Sequence, residues 1–243
     1  VENRFIRQSG LIDGSIFATP ICVIGAGGIG SFTTLALAKI GFTEIHIWDY
    51  DIVEEHNLPS QFYPMEAVDR YKVDALYDMI YDFTHVQLTK HEEWNKHEPL
   101  TGVVVSAVDS MDTRREIFNA ITDNPEVRLF VDGRMGGNQL EIYTCNTMSQ
   151  EDKRRYSKTL CSDEEAANTP CTERAVMYNV LTIGSWITNQ IRLVLSDKEY
   201  KREMILDMEN MMLLLPEERK AKRRRRVPNV MPVVEKVEVA DEV

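Results

Sequence analysis

The chain has 243 residues, enough for one sizeable α/β domain with a well-buried core. Its net charge of −11, from 28 Lys and Arg against 39 Asp and Glu, argues against a body built to bind nucleic acid. Cys22, Cys145, Cys161 and Cys171 make neither a disulfide framework nor a Cys-x-x-Cys pair, so a reducing, cytoplasmic setting is expected and structural zinc is not. Residues 1–14 lack the apolar region of a signal peptide, and the most apolar helical stretch, 175–195, carries Asn179, Asn189, Gln190 and Arg192, so no membrane span is expected.

Residues 1–19 form a polar to amphipathic lead-in with Arg4, Arg7 and Gln8. The run Ile21-Cys22-Val23-Ile24 predicts a strand over 20–25, and helical spacing follows over 28–40, stopped by Gly41. A second strand, 44–48, ends at Asp49. Residues 51–65 are polar, hold Asn57, Pro59 and Pro64, and are long for a strand–helix connection, which points to function. Over 68–83 helical spacing puts Val73, Leu76, Ile80 and Phe83 near one face, with Lys72 in the first half, and a short strand follows over 86–88.

Residues 102–108 read as a buried strand ending at Asp109, and 112–121 as a helix. A further buried strand over 127–131 ends at Asp132 and Gly133, and 139–145 alternates like a half-buried strand. The segment 149–172 is charged and without pattern, and is expected to be a mobile crossover; 173–195 and the Met-rich 197–215 read as helices. These elements make one domain over 1–215. From 216 the chain runs through Lys222-Arg223-Arg224-Arg225-Arg226 to an acidic end, and reads as a disordered or partner-ordered tail, the one part through which nucleic acid is admitted.

Strands alternating with helices predict a doubly wound, Rossmann-like, largely parallel sheet with helices on both faces. Ligands in such sheets lie outside the carboxyl ends of the strands, where Gly25, Asp49, Asp109 and Asp132 all fall. Gly25, Gly27 and Gly30 form a Gly-x-Gly-x-x-Gly turn, whose lack of side chains lets a phosphate reach the amides at the helix start. Asp49, about twenty residues on, can accept from ribose hydroxyls, and to this point ATP and NAD remain open. Taken singly, Arg4, Arg7 and Lys72 are ordinary solvated charges, and Asp109 and Asp132 ordinary helix caps.

The motifs taken in order resemble the ThiF/MoeB-like adenylyltransferases, relatives of the adenylation domain of ubiquitin-activating enzymes, over roughly residues 4–195. Arg4-Phe5-Ile6-Arg7-Gln8 is similar to that family's amino-terminal Arg-Tyr-x-Arg-Gln, and Gly25-Ala26-Gly27-Gly28-Ile29-Gly30 to its phosphate loop. Asp49-Tyr50-Asp51 with Asn57-Leu58, then Lys72-Val73, then Val108-Asp109-Ser110 with Arg114, follow the family's order, and Cys171-Thr172-Glu173 falls where it often has a reactive cysteine.

The resemblance implies ATP-dependent adenylation of a carboxylate, above all the terminal glycine of a small ubiquitin-like or sulfur-carrier protein, or of a peptide. Gly25, Gly27, Gly28 and Gly30 would cradle phosphate, Asp49, Asp51, Asn57 and Arg114 would complete the nucleotide site, and Lys72 would set a charge on the phosphates. Asp109 would hold Mg²⁺ or steer the incoming carboxylate, Arg7 would reach into the second subunit of a homodimer, and Cys171 would accept the activated acyl group.

Two departures stand out. Ser60 replaces the arginine of the family's Asn-Leu-x-Arg-Gln, leaving Arg114 or Arg134 to supply that charge, and the paired zinc cysteines of many relatives are missing. Cys22 and Cys145 are expected in the core, and Cys161 is left open. A non-catalytic nucleotide-bound scaffold is the alternative those departures suggest. An NAD-dependent oxidoreductase is the other, although His46, His56, His85, His91 and His97 form no proton-transfer motif. A carboxylate on a modified tRNA base is a variant substrate within the adenylating class.

Overall fold

Ile21–Ile24 is apolar at every position and buried at every position, as a strand covered on both faces must be. In the computed structural model of the chain, which describes residues 3–164 and 176–216, this strand (β1) lies inside an eight-stranded sheet. It is followed by helix α1 (Gly28–Ile40), β2 (Ile45–Trp48), α2 (Lys72–Thr84), β3 (Thr89–His91), β4 (Gly102–Ser106) and α3 (Met111–Ile121). Then come β5 (Val127–Gly136), β6 (Gln139–Asn146), α4 (Gln150–Ser157), α5 (Met177–Leu195), β7 (Glu203–Asp207) and β8 (Met212–Leu214).

The strand order is β3-β2-β1-β4-β5-β6-β7-β8. The first five strands run parallel and the last three are added antiparallel. Order reverses between β1 and β4, where Ile24 pairs with Ser106, so the crevice at their carboxyl ends is the topological switch point.

Alternate strand residues feed two cores. Ile21, Val23, Val103, Val105 and Val131 meet Leu37 of α1, Leu76 and Ile80 of α2, and Ile183 and Ile187 of α5. Cys22, Ile24, Val104 and Phe130 meet Ile117 and Phe118 of α3 and Tyr156 of α4 on the opposite face. Helices therefore cover both faces, as the alternating pattern predicts. Fully buried Phe42 and Phe130 each contribute roughly 1.5–3 kcal/mol of apolar transfer. Among the described residues no helix is long and apolar enough to cross a membrane.

The structure differs from the sequence expectation in four places. The region 197–215 is not a Met-rich helix but the hairpin β7–β8. Asp207 accepts hydrogen bonds from the amides of Glu209 and Asn210 at 3.1 and 3.0 Å, closing a turn, and Met204 and Leu206 alternate into the core. Helix propensity of Met and Leu loses here to pairing with β6. The first part of 149–172 is an ordered helix: Ser149 accepts from the Asp152 amide at 3.2 Å, and Tyr156 packs edge-on to Phe130 at 5.0 Å.

The other two differences concern boundaries. β5 continues past 131 to Gly136 and returns through the turn at Gly137 and Asn138, so Asp132 lies within a strand, opposite Tyr143, and not at its end. The third strand is Thr89–His91, and Val86 and Leu88 are the buried residues leading into it.

Candidate active site

The turn after β1 is shaped by packing before any ligand is considered. A Cβ on Gly30 would stand 1.8 Å from the Gly25 carbonyl oxygen, so that glycine is required by the strand-to-helix corner itself. Gly27 is different: a Cβ there would meet nothing nearer than Gln61 Nε2 at 3.9 Å. Its missing side chain leaves open space over the start of α1. Gly27 is also the N-cap residue and makes no side-chain cap, and α1 has no acidic residue in its first turn. The first amides and the positive end of the helix dipole are thus left for an anion.

Asp49, directly after β2, is drawn into this turn. Its Oδ2 accepts from the Ala26 amide at 2.6 Å and its Oδ1 from the Asp51 amide at 2.9 Å. Burial raises its pKa above the ordinary carboxylate value, against the opposing pull of Lys72 and the two amides. Lys72 is the first residue of α2 and only 6 % exposed. Its Nζ donates to Asp51 Oδ2 at 2.7 Å and lies 4.0 Å from Asp49 Oδ1. A cation at a helix N-terminus opposes the dipole, so the fold holds this ammonium in place through the two acids.

The long 51–65 connection closes over the same turn. Tyr63 donates from its hydroxyl to the Ala26 carbonyl at 2.6 Å, and the Phe62 amide donates to Ser31 Oγ at 3.1 Å. Tyr63 and Gln61 join the candidate site although the sequence reading did not single them out; Gln61 stands at the last position of the Asn-Leu-x-Arg-Gln pattern that begins at Asn57. Gln61 Oε1 is buried without a hydrogen-bond partner among the described residues, beside the open space at Gly27. Asn57 accepts from the Glu54 amide at 3.0 Å in a capping box, which commits its oxygen to the loop and leaves its NH₂ to donate.

At β4 the capping role falls to Ser110, whose Oγ accepts from the Thr113 amide at 3.1 Å, so Asp109 is not the cap and remains exposed. Arg114 is buried. It donates to Asp132, to the Gly133 carbonyl at 3.0 Å and to the Val108 carbonyl, and so fixes the loop that carries Asp109. Arg134 donates to Asp132 Oδ2 at 2.7 Å and stacks on Tyr143 at 4.4 Å. Burial would lower the Arg134 pKa, but the Asp132 carboxylate more than reverses it. Both arginines that could have replaced the one missing at Ser60 are thereby engaged with Asp132.

Arg7 does not join these residues. Its segment is tied down by Gln8 to the Ile40 carbonyl and by Arg4 to the Thr84 carbonyl at 2.9 Å, at the far ends of α1 and α2. Cys171 lies outside the described residues. Burial pushes the Cys22 thiol up to about 11 and the Cys145 thiol up to about 12, as suits core residues. Among the described residues no group of three or more His, Cys, Asp or Glu is set to hold a metal ion.

The comparison with known proteins decides the lineage. The ThiF family model matches residues 12–225. The chain belongs to the ThiF family. Within it, the chain is 35% identical over 102 residues to the "adenylyltransferase and sulfurtransferase MOCS3" of Culex quinquefasciatus, covering 39% of this chain and 23% of that protein. It is 26% identical over 138 residues to the "ubiquitin-like modifier-activating enzyme 5" of Bombyx mori, covering 49% of this chain and 35% of that protein. This ThiF-family chain thus spans 23% and 35% of the length of these two relatives. Among solved structures, Escherichia coli MccB with MccA superposes with a TM-score of 0.72 at 12% identity, over 88% of this chain and 71% of that one. PaaA superposes with a TM-score of 0.64 at 14% identity, over 81% and 62%. At such identities the likeness establishes the fold.

Proposed function

We propose that the chain uses ATP to adenylate a carboxylate. A carboxylate oxygen attacks the α-phosphorus, the bond from that phosphorus to the bridging oxygen breaks, and pyrophosphate leaves with the electron pair. The acid is the terminal glycine of a small ubiquitin-like or sulfur-carrier protein, or of a peptide. The observation that carries the reading is the buried ammonium of Lys72 at the start of α2, held by Asp51 beside an uncapped glycine turn. Such a cation has its use where phosphate charge must be neutralised. The names of the relatives, an adenylyltransferase and a modifier-activating enzyme, agree with this, as does the existence of an MccB structure with ATP.

Gly27 and the first amides of α1 would receive phosphate, Asp49 the ribose, and Lys72 the phosphate charge. Mg²⁺ takes oxygen ligands, usually one or two carboxylates with phosphate oxygens and water, and the exposed Asp109 and half-exposed Asp51 are donors of that kind. When bound, the ion would withdraw charge from the phosphates. The half-buried Asp49 and the buried Tyr63 would keep the turn in shape while substrate arrives, so that positioning supplies most of the rate. A cytoplasmic homodimer, with Arg7 serving the partner's site, completes the proposal.

Thermal unfolding with Mg²⁺-ATP against NAD⁺, followed by ATP–pyrophosphate exchange across carrier proteins and glycine-ended peptides, tests it. Stabilisation by ATP and exchange that needs the carboxylate are expected. Stabilisation by NAD⁺ alone overturns the reading, and ATP binding without exchange across the carriers favours a scaffold. Trapping of an acyl-protein adduct that is lost in Cys171→Ser would extend the reaction to a second, covalent step.

A further inference from the structure

The sequence that follows the described residues is unlike the rest of the chain: seven of the eight residues 219–226 are Lys or Arg. Strand β8 fixes where this stretch leaves the fold, since Leu214 pairs with Ile205 near the start of β7. Helix α5 runs to the same edge of the sheet. Tyr178 and Asn179 at its beginning bond the turn at Asn138 and Gly137, beyond the carboxyl end of β5, and its other end leads into β7. Counted from Pro216 along an extended chain, the basic run begins at about 10 Å and ends at about 33 Å.

At that edge α5 and the amino-terminal arm enclose a cleft of about 280 Å³. Leu11, Ile16 and Leu195 line it with apolar surface and Asp13 and Asp197 with carboxylates, and Lys198 stands beside them. Neither acid has an ion-pair partner among the described residues. Asp197 sits in left-handed backbone, φ 51°, where α5 closes and the Lys198 amide donates to the Leu193 carbonyl at 2.8 Å. A negative charge there opposes the helix dipole, whose negative end this is. Ser196 Oγ, in the same lining, is buried without a hydrogen-bond partner among the described residues. The cleft therefore has charge to neutralise and a polar atom to satisfy.

We propose that this cleft receives the basic run 219–226 of the same chain. A Lys or Arg side chain brings an apolar stem for Leu11, Ile16 and Leu195 and a cationic head for Asp13 and Asp197. Arg192 already reaches from α5 to the Leu11 carbonyl at 3.4 Å, and the docked run adds a second bridge between the same two elements. The carboxyl-terminal segment thereby staples the amino-terminal arm to α5. This docking does not depend on the adenylation reading.

The test digests the full chain briefly with trypsin and follows the cuts by peptide mass spectrometry, in the wild type and in the double variant Asp13→Asn/Asp197→Asn. Both changes suit the backbone: Asn keeps an acceptor for the Ser15 amide, and Asn is at home in left-handed conformation. Docking shields the run, so cutting reports its undocked fraction. Cutting within 219–226 should be about tenfold faster in the double variant, as the loss of charge-assisted hydrogen bonds implies, with the other sites unchanged. Equal rates at the run in both proteins, or a parallel rise at every site, overturn the proposal. Carbodiimide coupling of the wild type should join the amine of Lys220 or Lys222 to Asp13 or Asp197. Coupling of those amines to other carboxylates alone overturns it. So does coupling that vanishes on dilution, which makes a second copy the source of the run.

Discussion

The amide of Ala26 donates to Asp49 Oδ2 at 2.6 Å, so the acid after β2 is a structural part of the turn after β1. Replacing it removes the proposed ribose acceptor and a fastening together. Asp49→Ala should abolish stabilisation by Mg²⁺-ATP, about 2.7 kcal/mol at a hundred times Kd in the wild type. It should also cost the ligand-free protein about 1–3 kcal/mol for the orphaned amide. Asp49→Asn keeps an acceptor for Ala26 and should recover much of the second loss but not the first. Thermal unfolding with and without nucleotide separates the two.

The glycines of the turn should divide in the same assay. Gly30→Ala forces a Cβ onto the Gly25 carbonyl and should lower stability by about 3 kcal/mol or more, from backbone strain and overpacking. Gly27→Ala has room for its methyl group and should unfold within about 1 kcal/mol of the wild type while losing the response to ATP. A Gly27→Ala protein with a full ATP response would remove this turn from the site.

Lys72→Ala leaves Asp51, whose side chain is 50% exposed, able to rehydrate. The loss of stability should therefore be about 1 kcal/mol or less. Nucleotide affinity should fall at least about tenfold, because the lost contact is charge-assisted. Titration calorimetry with Mg²⁺-ATP gives the affinity, and chemical denaturation the stability.

Two carboxylates, the half-buried Asp49 and the buried Asp152, should titrate with opposite sign. Burial raises the pKa of Asp49, so its contribution is full below its ordinary 3.8 and is lost as pH rises through the folded value. At Asp152 burial pushes upward as well, but hydrogen bonds from Arg202 at 2.7 Å and Tyr200 at 2.7 Å win and hold it low. Its contribution is present above 3.8 and is lost as pH falls through the lowered value. Urea unfolding across acid pH should show Asp152→Asn losing most relative to the wild type at neutral pH, and Asp49→Asn gaining relative to it as pH rises. Matching slopes in the two variants would contradict both assignments.

Much of this was legible in the sequence because the signals were local. Continuous apolar runs give β1, β4 and β5, and the glycine turn with its distal acid gives the switch-point crevice. What the sequence hid depends on distant partners. Asp132 reads as a strand-end acid until β6 pairs with β5 from Leu129 to Gly136 and two arginines close on its carboxylate. Met208, Met211 and Met212 read as helix formers because nothing local reports that β6 offers an edge for β7. Tyr63 matters through a contact 37 residues away in the chain, for which no spacing rule exists.

The anchoring of the amino-terminal arm has a kinetic consequence. α1 has 13 residues, so its glycine end and the Ile40 carbonyl that holds Gln8 are about 18 Å apart along the axis. In the proposed homodimer Arg7 would therefore serve the partner's site and not its own. Specific activity should decline on dilution with the square-law onset of a dissociating pair, and mixing an Arg7→Ala chain with an Asp49→Ala chain should restore activity that neither has by itself.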